Sequence, residues 1–248
     1  MTGVQTCALP IYNAIAALIL TAMTVFVACK KNEITLLGVT PTGARVKLIS
    51  ACSNCPNLLM TANGQTINPT ALAYGGAFPT ASYAILPTGD VTLDFIRSDS
   101  SKSLFSTKVN LVDGKYYSVY IGDTVPTPNI SLIEDDIKAF QDTVLRLRFV
   151  NVLSGKTKDT LDLVYKNTNT VVASGITYGK ASTFAFQPTT TADTFFYRKT
   201  GTTVIYPLTA NSIFTTKRMS QTISFLARGL NNKTTGTQIA KIDWWNNR

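Results

Sequence analysis

The chain contains no histidine. That removes the commonest general base, the usual imidazole metal ligand and every Ser–His or Cys–His nucleophile pairing. The absence excludes more enzyme classes than any motif present supports. Acidic residues are also few, with 14 Asp and Glu against 23 Lys and Arg, giving a formal charge of +9 and a pI near 9.4. The basic residues are scattered, without the clustered stripe or recognisable motif that nucleic acid requires, so no nucleic-acid partner is expected. Arg45/Lys47 and Arg146/Arg148 fall on alternate strand positions, which reads as a solvated face. Long runs of helix formers are scarce, whereas Thr, Ser, Asn and Gly abound. Hydrophobic residues make up 45% of the chain, ample for a core and against global disorder.

No residue before Lys30 is charged. The run Ala14–Ala28 is apolar and too short to span a bilayer comfortably, and it stops at Cys29, after which Lys30, Lys31, Asn32 and Glu33 turn the chain polar. Phe26-Val27-Ala28-Cys29 resembles the lipobox of bacterial lipoproteins. The resemblance implies cleavage before Cys29 and acylation of the new N-terminal cysteine, hence a membrane partner through a lipid anchor. The basic n-region of a secretory signal is missing, and Met1–Ile11 resembles a translated sequencing adapter. Residues 1–11 are therefore read as an artefact, 12–28 as a truncated signal peptide and 29–39 as a tether. The expected location is the cell envelope of a Gram-negative, Bacteroidetes-like cell, at the outer membrane and facing either the periplasm or the surface.

About 220 residues then remain, enough for two ordinary domains or one large β domain. They read as strands by alternation with period two: Val91, Leu93 and Phe95; Leu145, Leu147 and Phe149; Tyr117, Val119 and Ile121; Ile223, Phe225 and Ala227. Asn63-Gly64 is a candidate type I′ hairpin turn, in which both central residues take positive φ. Two stretches then match in order. Ala44–Ser50 corresponds to Leu145–Asn151, Leu58–Gly64 to Leu161–Asn167 and Leu72–Gly75 to Ile176–Gly179. Ser82–Pro87 corresponds to Thr183–Pro188, Val91–Arg97 to Thr194–Lys199, Tyr116–Gly122 to Thr222–Gly229 and Ile130–Ile133 to Ile239–Ile242. Some seven short strands per hundred residues is the signature of an Ig-like sandwich. The expected fold is all-β: two tandem Ig-like antiparallel β-sandwiches, residues 40–137 and 143–248, after a lipoprotein signal segment.

This ordered set resembles the bacterial envelope family known as a domain of unknown function, DUF 4397, on Ala44–Ser50, Pro56, Tyr74-Gly75, Pro87-Thr-Gly89 and Tyr117–Val119. The histidine that ends the family's first strand is replaced by Ser50 and Asn151. The resemblance implies a repeated envelope domain and brings no activity with it.

Three constellations could carry chemistry. Cys52-Ser-Asn-Cys55 can form a local disulfide in an oxidising compartment. A redox centre would need a thiol pKa depressed by a helix N-terminus or similar device, whereas this pair follows a strand and precedes Pro56. Zinc would find half a tetrahedron. A structural disulfide is the expected state, with a free pair and a redox centre as alternatives. Glu134-Asp135-Asp136 lacks EF-hand spacing and reads as a solvated interdomain turn, with calcium the alternative. Trp244 and Trp245 should point to opposite sides of a strand, covering the open end of a sandwich or facing a ligand. Asp94 and Asp162 fall at outward positions where solvent should keep their pKa ordinary. No catalytic residue, metal or cofactor is expected. The expected function is a lipid-anchored, non-catalytic binding, adhesion or scaffolding role toward an unknown protein or glycan. The alternative is a thiol-dependent envelope redox protein using Cys52 and Cys55.

Overall fold

The structure, a computed structural model, describes residues 42–137, 145–166, 168–187, 193–206, 212–214, 221–233 and 235–247. The adapter-like residues 1–11, the signal segment 12–28, Cys29 and the tether 29–39 lie outside the described residues. No helix occurs among the described residues, so the all-β expectation holds.

Among the described residues nine strands precede residue 138: β1 (Ala44–Ser50), β2 (Leu58–Ala62), β3 (Gln65–Thr66), β4 (Ala77–Phe78), β5 (Ala84–Leu86), β6 (Gly89–Arg97), β7 (Ser103–Leu111), β8 (Tyr116–Gly122) and β9 (Asn129–Glu134). They form one sheet in the order β4-β1-β8-β9, with β5 also on β1, and a second in the order β3-β2-β6-β7. Ten strands follow: β10 (Leu145–Asn151), β11 (Leu161–Tyr165), β12 (Val171–Ile176), β13 (Lys180–Ala181), β14 (Ala185–Gln187), β15 (Asp193–Lys199), β16 (Ile205–Tyr206), β17 (Ser212–Phe214), β18 (Thr222–Arg228) and β19 (Lys241–Asn246). Their sheets run β13-β10-β18-β19, with β14 on β10, and β12-β11-β15-β16, with β17 on β15.

Each pair of sheets encloses its own core. Val46, Leu48, Leu58, Met60, Val91, Leu93, Phe95, Val119 and Ile121 fill the first. Leu147, Phe149, Leu161, Leu163, Phe195, Tyr197, Ile223 and Phe225 fill the second. The alternation explains the placement: on β6, Val91, Leu93 and Phe95 are buried while Thr92 and Asp94 are only half-buried. Each fully buried large apolar side chain stabilises the fold by about 1.5–3 kcal/mol. The β2–β3 hairpin closes at Asn63 (φ 49°) and Gly64 (φ 81°) with Ala62 opposite Gln65, the expected two-residue turn.

Among the named strands pairing is antiparallel except in one place per sandwich, where β1 runs parallel to β8 and β10 parallel to β18. A parallel neighbour needs a long crossover, and here the intervening strands supply it by building the other sheet. Equivalent hydrogen bonds recur at equivalent points. The Gly75 N–H donates to the Ser50 carbonyl at 2.7 Å, and the Gly179 N–H to the Asn151 carbonyl at 2.7 Å. Two sequence correspondences shift: Gly122 aligns with Arg228 in place of Gly229, and Ile130 lies opposite Ile121 as Ile242 lies opposite Ala227. Ile130, three residues before Ile133, is thus the counterpart of Ile242.

The solvated face expected of Arg45/Lys47 and Arg146/Arg148 is overturned at Lys47, Arg146 and Arg148, whereas Arg45 stays half-buried. Lys47 is 0%, Arg148 2% and Arg146 5% exposed. The outer faces of the β1 and β10 sheets pack on one another through Ile49, Ala51, Ala77 and Tyr120 from the first and Val150, Val152 and Leu226 from the second. Period two separates the faces of a strand; it does not say whether water or another sheet covers the outer one.

Candidate functional site

The junction between these two sheets holds the densest buried polar chemistry of the molecule. Alternation on β10 aims Arg148 outward from the second core, straight at the first sandwich. Its Nε donates to Ser224 Oγ at 2.8 Å, Nη1 to the Glu134 carbonyl at 3.3 Å and Nη2 to Tyr120 Oη at 3.4 Å. Nη2 also bonds the Asp135 carboxylate, and the guanidinium lies 4.6 Å from the centroid of the Phe184 ring. Asp135 further accepts from Tyr83 Oη at 2.6 Å, Ser118 Oγ at 2.7 Å and Asn247 Nδ2 at 3.4 Å. A buried ion pair persists only when its remaining donors and acceptors are satisfied in this way.

The field of the cluster is visible in its titrating groups. Burial, aided by Asp135, pushes the Tyr83 phenol far up. Burial likewise raises Tyr120, with Arg148 opposing. For Arg148 burial works against the charge, yet Tyr120 and Asp135 beside it raise the pKa overall. Lys47, fully buried, is brought down to about 8 by desolvation, with Asp135 pulling the other way. Its Nζ donates to the Asn246 carbonyl at 2.6 Å and sits 5.0 Å from the Tyr83 ring centroid.

Away from this centre the junction is closed by smaller contacts. The Arg228 guanidinium lies 4.3 Å from the centroid of Tyr74 and bonds Asp243. Lys158 stands 3.8 Å from the Tyr178 ring centroid and pairs with Asp123. The Asp123 N–H donates to Ser154 Oγ at 2.9 Å, and Gln238 Nε2 to the Ser53 carbonyl at 2.6 Å.

Glu134-Asp135-Asp136 is therefore not a solvated turn at its middle residue, which is 3% exposed. Each carboxylate has its own cation: Lys115 with Glu134 at 2.9 Å, Arg148 with Asp135, and Arg146 with Asp136 at 3.2 Å. Depressions of about 450 and 260 Å³ flank this segment, and both are lined by Glu134 and Asp136. Among the described residues no group of three or more Cys, Asp or Glu is placed to hold a metal ion.

Asp162 departs from its expected exposure. It is 4% exposed and accepts from Thr200 Oγ1 at 2.7 Å and from the Gly175 N–H and Ser174 Oγ, each at 2.9 Å. Burial disfavours its charge, but these donors and Arg198 hold the carboxyl below its ordinary range. It ties β11 to its neighbours and faces no cleft partner.

Cys52 and Cys55 are joined in a disulfide, Cα atoms 5.4 Å apart, in the loop between β1 and β2. Cys52 is packed in the first core and Cys55 lies at its edge. The loop is pinned by Asn54, whose Oδ1 accepts from the Val125 N–H at 2.7 Å and whose Nδ2 donates to the Val125 carbonyl at 3.2 Å. Trp244 packs on the second core and Trp245 on the cluster at the junction. The two rings therefore serve different contacts and make no shared platform. Sequence reasoning missed Tyr83, Ser118, Ser224 and Asn247, because a polar residue on an outer face or beside a strand end carries no mark of what faces it.

No curated protein matches the chain. Among the solved structures that it resembles distantly are the following two. A carbohydrate-binding module of family CBM26 from Eubacterium rectale Amy13K, in complex with maltoheptaose, aligns with 80% of this chain and 96% of its own at 8% identity and a TM-score of 0.25. A streptococcal virulence factor described as binding alpha-glucan aligns with 82% of this chain and 97% of its own at 11% identity and a TM-score of 0.25. Likeness at that level does not bear on what this chain does. Residues 44–159, which span the first sandwich and reach past β10, match the family model of the domain of unknown function DUF4397.

Proposed function

We propose that the chain is a lipid-anchored cell-envelope protein with a non-catalytic binding, adhesion or scaffolding role, built from two tandem copies of the DUF4397-like unit, residues 40–137 and 143–248. The observation that carries this reading is the Arg148–Asp135 pair with its ring of donors. Such a cluster in a cleft would suggest acid–base work, but here it is enclosed between two sheets and holds them together. The carboxylates beside it are matched by cations, so no free acid faces a second one as glycoside hydrolysis requires.

Anchoring rests on Cys29 and the apolar run before it. Two or more acyl chains give stable membrane attachment where one gives only marginal binding. The protein, expressed behind a working n-region, should take up a fatty-acid analogue and sediment with membranes, and Cys29→Ser should move it to the soluble fraction. An unlabelled wild type would sink the lipoprotein reading. The partner, a protein or a glycan, is to be sought by probing glycan and protein arrays with the purified chain. Turnover of an arrayed substrate in place of retention would refute the non-catalytic role.

A further inference from the structure

Two of the contacts across the junction come in reciprocal pairs. Register places Lys47 opposite Ser118 on β8, and Arg148 opposite Ser224 on β18, so Lys47 and Arg148 are counterparts, as are Ser118 and Ser224. Tyr83 precedes β5 as Phe184 precedes β14. Asp135 follows β9 with its N–H on the Tyr116 carbonyl at 2.7 Å, and Asn247 follows β19 with its N–H on the Thr222 carbonyl at 2.7 Å.

Two contacts that cross the junction, those of Lys47 and of Tyr74, are returned by their counterparts Arg148 and Tyr178, and the contacts beside them recur within each sandwich. Lys47 donates to the Asn246 carbonyl at 2.6 Å, and Arg148 to the Glu134 carbonyl at 3.3 Å. Lys47 lies over the Tyr83 ring, and Arg148 over the Phe184 ring. Ser118 Oγ bonds Asp135 at 2.7 Å, and Ser224 Oγ bonds Asn247 at 2.7 Å. Tyr74 sits against Arg228 of β18, and Tyr178 against Gly122 of β8. Residue i meeting j while the counterpart of j meets that of i is the mark of a two-fold, isologous interface.

We infer that the junction is an isologous interface formed within one chain, in which the partner of each sandwich is the other sandwich, and that positions 135 and 247 form one carboxylate site on its pseudo-two-fold axis, shared by Lys47 and Arg148. Asn247 Nδ2 stands 3.4 Å from Asp135 Oδ2, so the two side chains meet on that axis. An amide in both places would leave Arg148 buried with no counter-ion. A carboxylate in both would set two like charges against each other. One of each is the arrangement that leaves neither fault.

The test uses the full chain and the four combinations of Asp and Asn at these positions, followed by thermal unfolding. Asp135→Asn should lower the midpoint by about 10 °C, the effect of stranding a buried cation in a chain of this size. Asn247→Asp should lower it at neutral pH and recover as mild acid protonates one of the facing carboxyls. The double exchange, which moves the carboxylate across the axis toward Lys47, should restore the midpoint to within a few degrees of wild type. A double variant as unstable as the sum of the singles would overturn the inference, as would an Asn247→Asp chain indistinguishable from wild type at both pH values. Should Asp135→Asn fail to fold, recovery of a folded double variant still supports the shared site, and failure of both rejects it.

Discussion

The Arg148 guanidinium and the Asp135 carboxylate form a buried ion pair across the face where the two sandwiches meet, although only the short connector separates them in sequence. The pair cannot relax toward water, and that sets what happens when either half is removed. Arg148→Ala should cost about 3–5 kcal/mol, since it leaves the Asp135 carboxylate buried without the guanidinium bonded to it. Arg148→Met together with Asp135→Leu should cost much less, because an apolar pair of similar volume carries no desolvation penalty. Urea unfolding of both variants separates the cases.

Lys47 makes stability depend on alkaline pH. Its pKa falls from the ordinary 10.5 to about 8 in the folded chain, so between those values the unfolded chain binds the extra proton. Stability therefore rises with pH through this window and is lost as pH falls through about 8. The rise should be on the order of 2 kcal/mol by about pH 9.5. It should then reverse as unfolded tyrosines ionise, because Tyr83, Tyr120 and Tyr197 have raised values in the fold. Chemical denaturation of wild type and Lys47→Met across this range checks it; the variant should show no rise.

Gly122 marks how closely the sandwiches approach. A Cβ there would lie 2.7 Å from the Tyr178 hydroxyl. Gly122→Ala should destabilise the chain by about 1–3 kcal/mol through overpacking. Tyr178→Phe should recover part of that loss by removing the clashing oxygen. Additive losses in the double variant would show that the two residues do not touch.

The Cys52–Cys55 bond closes a very short loop. Its loss in Cys55→Ser should lower stability by about 2 kcal/mol on the chain-entropy account, leaving the sandwich folded. A test dithiol mixed with the disulfide-bonded chain should not be oxidised, nor a test disulfide reduced by the pre-reduced chain, at a rate above background. Exchange that disappears in Cys55→Ser would favour the redox alternative.

Much of the fold could be read without coordinates. Alternation at Val91, Leu93 and Phe95 marks one face of β6 because side chains on a strand point to opposite sides. Asn63-Gly64 marks a hairpin because few residues accept positive φ twice in succession. The matches of Ala44–Ser50 with Leu145–Asn151, and of Tyr74-Gly75 with Tyr178-Gly179, fall on equivalent strands and equivalent hydrogen bonds. These features are local, and local chemistry is enough to specify them.

The fate of the outward side chains was another matter. Arg45, Lys47, Arg146 and Arg148 have the pattern of a solvated face, and that pattern is the same whether water or a second sheet lies beyond it. Asp135 and Asp162 likewise carry no mark in sequence of the hydroxyls and cations that surround them, because those groups come from other strands and loops that only the fold brings alongside. The sequence determined the strands, their inner faces and their turns, since these depend on neighbours one to four residues away. Only the tertiary structure decided that the outer faces meet, because burial of a charge depends on which partner, brought in from a distant segment, offsets its desolvation.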